Sequence, residues 1–169
     1  MNGYSFTMGR PRSVPDDEVF AAILGLLAEG GEGAVSFGTV SKVCGLAPPT
    51  LVQRYGDRAG MLRAALAQGW DGVMEAGERF AAAEESAQGF LKALAGVLPP
   101  ALVLASLSDP VAAARAAEWR HAVERVLAAK LGCRDEAAAM MFAAWQGRLI
   151  WEPAGGAGFK LKDAARRLG

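Results

Sequence analysis

Apolar residues recur at steps of three and four along most of this chain, in blocks parted by Gly, Pro and small polar residues. That spacing is the period of an amphipathic helix. Runs with the two-residue alternation of a half-buried strand are absent, so the pattern predicts an all-α protein. The first block is Asp16 to Glu29, with Val19, Phe20, Ile23, Leu24 and Leu27 on one stripe. Pro15 opens it, Asp16, Asp17 and Glu18 place negative charge at the positive end of its dipole, and Gly30-Gly31 ends it. The second block, VSFGTVSKVCGLAPPTLVQRY from Val35 to Tyr55, predicts two short helices. Ser36 is a good N-cap, and Phe37, Val40 and Val43 are expected to form one buried face. Gly45 accommodates the positive φ at which the first helix must stop. Pro48 and Pro49 suit the first turn of the second helix, where a missing N–H is no loss. Leu51 and Tyr55 then face inward, and Gln53 and Arg54 face outward.

Further helices are expected downstream. Asp57 caps one running to about Ala83, with Leu62, Leu66, Trp70, Val73, Gly77 and Phe80 on its apolar stripe. Ser86 to Leu98 is the next, broken by Pro99-Pro100, and Ala101 to Leu107 resumes as a buried apolar piece. Asp109-Pro110 begins a helix that Gly132 ends, with Ala112, Ala116, Trp119, Val123, Val126 and Leu127 aligned. Asp135 to about Trp151 is rich in Ala, Met and Trp, and Phe159 to Leu168 is a short last helix.

Composition changes the picture in one respect. The 169 residues are 52% apolar and carry no net charge, so no global basic field advertises a nucleic-acid partner. Locally, Lys42, Arg54, Arg58 and Arg63 stand against Asp57 alone, and Gly9-Arg10-Pro11-Arg12 lies in an extended arm upstream. Together they predict a basic surface around the second block. Cys44 and Cys133 lack metal-ligand spacing, no metal or cofactor is expected, and MNGYSFTM has no apolar signal segment. The expectation is a reduced, cytoplasmic protein with no membrane span. One His, no H-x-x-x-H and no glycine-rich phosphate loop argue against an enzyme.

The second block has the spacing of a helix-turn-helix, whose second helix enters the DNA major groove. The competing reading is a helical hairpin within a larger bundle. The first 66 or so residues resemble the DNA-binding domain of TetR-family transcriptional regulators. The resemblance is carried by ILGLLAE at Ile23–Glu29, the Gly-rich link, Ser36, Val40, Gly45, Leu46, Thr50, Leu51, Tyr55 and Asp57-Arg58-x-x-Met61-Leu62. Three departures stand out: Arg58 replaces a usual lysine, Val52 a common tyrosine, and Pro48-Pro49 a polar-small pair.

The resemblance implies an arm over residues 1–15, a helix-turn-helix domain over 16–56 and a helical regulatory and dimerisation domain over 57–169. It places Arg10, Arg12, Ser36, Ala47, Pro48, Pro49, Thr50, Gln53, Arg54, Tyr55 and Arg58 at the DNA. Ser36 and Thr50 would bond phosphates, Gln53 an adenine edge, and Arg54 a guanine or a phosphate. It also implies a homodimer and a small apolar or amphipathic effector, with Trp70, Met74, Phe90, Trp119, Met141 and Trp145 as candidate lining and Arg120, His121 and Gln146 as candidate polar groups. Plain core packing is the alternative for each aromatic residue. Repression of a palindromic operator is the expected function. A DNA-binding protein without a ligand, or a helical interaction module, is the alternative.

Overall fold

The computed structural model describes residues 14–155 and residue 163. Eight α-helices follow one another: α1 (Asp16–Gly30), α2 (Phe37–Cys44), α3 (Pro48–Tyr55), α4 (Arg58–Ala83), α5 (Ala87–Ala95), α6 (Pro100–Ser106), α7 (Pro110–Leu131) and α8 (Asp135–Trp151). Single 3₁₀ turns lie at Glu32–Ala34 and Glu152–Ala154. No strand occurs among the described residues, as the period predicted. The expected arm with Arg10 and Arg12, and the expected Phe159–Leu168 helix, lie outside the described residues.

The helix ends follow local chemistry. Ser36 accepts from the backbone N–H of Thr39 at 3.1 Å, while Thr39 Oγ1 accepts from the Ser36 N–H at 2.9 Å, a reciprocal capping box. Asp57 caps α4 by accepting from Gly60 N–H at 2.7 Å, and Asp109 caps α7 through the N–H groups of Val111 and Ala112. Gly45 ends α2 at φ 77°, a conformation that costs glycine no Cβ clash. The chain can therefore turn straight into α3.

Val19, Ile23 and Leu27 of α1, Val40 of α2 and Leu51 of α3 are buried together with Met61, Leu62 and Leu66 of α4. Farther along, α4 packs on α5, α6 and α7, with Trp70 and Val73 buried. Trp70 is fully buried and donates its indole N–H to Ser106 Oγ at 2.8 Å, which donates onward to the Leu102 carbonyl at 2.7 Å. The ring centroid of Trp70 lies 5.4 Å from that of Trp119, which in turn contacts Phe142 and Trp145. This aromatic column joins α4, α7 and α8, and such pairs are worth about 0.5–1.5 kcal/mol beyond area burial.

Three packing expectations are corrected. Val43 is 59% exposed and does not complete the buried face of α2. A residue six positions on is rotated about 120° from the first, so it leaves the stripe. The Ala101–Leu107 piece is buried on one side only, since Leu104 and Leu107 are more than 60% exposed. The helix expected over Ser86–Leu98 ends at Ala95, and Ser86 is its cap. Among the described residues no single helix is long and apolar enough to cross a membrane.

Candidate nucleic-acid interface and cavity

The turn between α2 and α3 puts a compact set of groups on one surface. Ala47, Pro48, Pro49, Val52 and Gln53 are exposed, Thr50 is half-buried, and Leu51 is sealed in the core. Leu51 anchors α3, and the residues around it form its solvent face. Gln53 and Lys42 have no partner among the described residues. The Ser36 hydroxyl is engaged in its capping box.

The arginines expected to form a basic surface are exposed, and each also has a partner within the molecule. Arg54 Nη1 donates to the Val14 carbonyl at 2.8 Å and pairs with Asp16 Oδ1 at 3.2 Å. Its side chain is 29% exposed. Arg58 donates Nε to the Val35 carbonyl at 2.6 Å and Nη2 to the Glu32 carbonyl. It braces the 3₁₀ turn that precedes α2, a role for which a charged residue in sequence gives no signal. Arg63 pairs with Asp109 at 2.7 Å. That bond is the main cause holding the Asp109 carboxyl below its usual range, helped by the Ala112 and Val111 N–H groups. Only Lys42 of the four expected cations lacks an internal partner among the described residues.

Tyr55 closes the same corner. Its hydroxyl donates to Asp16 Oδ1 at 2.6 Å, and its ring packs 5.8 Å from Phe20. Partial burial first, and then the bond and charge of Asp16, push its pKa from 10.0 to about 12. Tyr55 therefore ties the end of α3 to the start of α1.

A second feature lies farther along α4. A cavity of about 410 Å³, open on one side, is walled by Met74, Gly77 and Ala81 of α4, Phe90 of α5, and Trp119, Val123 and Val126 of α7. Its volume falls in the range of small-molecule sites. Glu78 and Arg125 supply its charged groups. Of the six expected lining residues, Met74, Phe90 and Trp119 are brought together here. Trp70, Met141 and Trp145 are core residues outside its wall. Arg120 and His121 are exposed and pair with Glu124, away from the cavity. The indole N–H of Trp119 and the amide nitrogen of Gln146 are buried without a hydrogen-bond partner among the described residues.

A helix-turn-helix mounted on a long helix that continues into a helical body is the architecture of TetR-family transcriptional regulators, and the chain has that fold. A crystal structure of a Streptomyces coelicolor A3(2) protein assigned as a transcriptional regulator matches with a TM-score of 0.66 at 15% identity, covering 90% of this chain and 94% of the other. A Rhodococcus protein assigned to the TetR family of transcriptional regulators matches with a TM-score of 0.59 at 21% identity, over 90% and 93% of the two chains. No family model and no curated protein matches the sequence.

Proposed function

We propose that this protein is a homodimeric, effector-responsive transcriptional regulator, a repressor that leaves a palindromic operator when a small apolar or amphipathic molecule binds. The observation that carries the reading is the continuity of α4. Its Asp57-capped start abuts the end of the recognition helix, and its Met74–Ala81 segment walls the cavity. One rigid element thus touches both candidate sites. Thr50, Lys42 and the arm residues Arg10 and Arg12 would bond phosphates, and the exposed face of α3 would meet base edges. Met74, Phe90 and Trp119 would contact the effector. Met140, Ile150 and Trp151, each more than half exposed on α8, would pack against their two-fold mates.

The test begins with selection of bound fragments from genomic DNA, followed by gel-shift titration against random duplex. A specific regulator prefers its site by about 10³-fold or more. A library of small apolar molecules is then screened for release of the bound fragment. Equal affinity for the selected and random DNA would remove the regulator reading.

A further inference from the structure

We propose that α3 selects A·T-rich half-sites by packing against thymine methyl groups, with Gln53 fixing one adenine, and that no arginine of the helix-turn-helix reads guanine. The proposal rests on the DNA-binding reading above and names the sequence class that site would take.

The argument starts from what α3 offers. Its exposed residues are the N-cap Ala47, then Pro48, Pro49, Val52, Gln53 and Arg54, and Val52 is 45% exposed. Four of these six side chains are apolar. The two prolines also remove two backbone donors from the helix start, which weakens any phosphate grip there. In the major groove, thymine alone presents a methyl group, and apolar side chains are its natural contact. A G·C pair presents only O6, N7 and the cytosine amino group at that edge. An apolar face laid on them would strip water from polar atoms and return no hydrogen bond. The surface thus favours A·T pairs and disfavours G·C pairs by the same contacts.

Guanine is normally read by a cation making two parallel hydrogen bonds to O6 and N7. Both candidate arginines are bonded within the chain, and Lys42, which has no partner among the described residues, lies on α2 before the turn. Arg54 holds the Asp16 carboxylate and the Val14 carbonyl, and Arg58 holds two carbonyls of the turn before α2. For either to reach a base it must first give up these bonds, a cost that falls on every sequence alike and lowers the affinity its base contact can add. Gln53 is different. Its amide is exposed and without a partner among the described residues, and an amide matches the N6/N7 edge of adenine bidentately.

The experiment is selection from random duplexes with the full chain, followed by resynthesis of the selected site with deoxyuridine in place of individual thymines. This deletes one methyl group and changes nothing else at the base edge. The expected result is an A·T-rich half-site in which deoxyuridine at a contacted position lowers affinity about fourfold, the value of one buried methyl. Val52→Ala should shrink that penalty, Gln53→Ala should relax preference at a single A·T pair, and Arg54→Ala should leave the preferred sequence unchanged. All three substitutions are on side chains outside the core, and circular dichroism checks that each variant folds. A G·C-rich consensus, or deoxyuridine duplexes bound as tightly as thymine duplexes, would overturn the proposal and leave DNA binding intact. Failure to enrich any sequence would overturn both.

Discussion

Replacing Gly60 by alanine tests how tightly α3 is seated. Gly60 lies in the first turn of α4, and an added Cβ would sit 2.5 Å from the carbonyl oxygen of Tyr55, the last residue of α3. Real Cβ contacts stay above 3.0 Å, so that backbone must retreat by about half an ångström. The obstacle is a peptide carbonyl at the end of α3, which no rotamer change relieves. Forced displacements of this kind cost about 1–3 kcal/mol. Alanine also gains about 1 kcal/mol over glycine in helix propensity, so the variant alone reads ambiguously. Gly72 supplies the reference. It lies on the same helix, and a Cβ there meets nothing within 4 Å. Gly72→Ala should stabilise by up to about 1 kcal/mol, and Gly60→Ala should fall about 1–3 kcal/mol below it. Urea unfolding midpoints at unchanged slope measure both. If the two variants shift together, the close approach of α3 and α4 does not constrain α3 and the reasoning fails.

Two further outcomes follow from the same contacts. Because the Tyr55 hydroxyl is pushed up to about 12, the folded state holds its proton more tightly than the unfolded chain; its contribution is complete below pH 10 and disappears as pH climbs toward 12. Tyr55→Phe should flatten that alkaline limb of the stability profile, and an unchanged limb would show the Asp16 bond to be idle. Met140→Glu combined with Ile150→Glu should yield folded monomers by sedimentation, whereas charges at the buried Met141 or Trp145 should unfold the chain; a wild-type monomer at micromolar concentration would sink the dimer.

What could be read from sequence was local. Ser36, Asp57 and Asp109 announce their helices because a cap is a bond between near neighbours, and Gly45 and Gly132 mark ends through positive φ. Both ends of α7 and the start of α4 followed from such signals, whereas α8 has neither a side-chain cap nor a left-handed end. The roles of Arg54 and Arg58 were not legible, since their partners lie about 40 and 23 to 26 residues away. A charged residue on a short helix reads as solvated until the chain end it reaches is placed. The cavity was half legible for a related reason. Period 3.6 separates inside from outside, but it does not distinguish a core neighbour from an empty wall. Trp70 and Met74 share a helix face one turn apart, yet the first is locked to Ser106 and Trp119 and the second borders open space.

That difference decides how a bound effector could act. Side by side, α4 and α7 are joined by Arg63–Asp109, Asp71–Arg115 and Trp70–Trp119, and at the far end by Lys130, which donates to the Ala81 and Glu84 carbonyls. The cavity lies between the aromatic contact and Lys130. Trp70, fully buried and hydrogen-bonded, is the natural fulcrum. From Trp70 the helix extends about 18 Å to Arg58 and about 16 Å to Ala81, so a displacement at the cavity reaches α3 at nearly full size. The Arg63–Asp109 pair resists this motion, but exposed pairs are worth only about 0–1 kcal/mol. An effector coupled to DNA by about 1–3 kcal/mol can overcome it. On the proposed function, Arg63→Ala should therefore widen the gap between effector affinities measured by calorimetry without and with operator, while apo DNA affinity changes little. An effector that binds equally well in both titrations, in wild type and variant, would show that α4 does not transmit the signal.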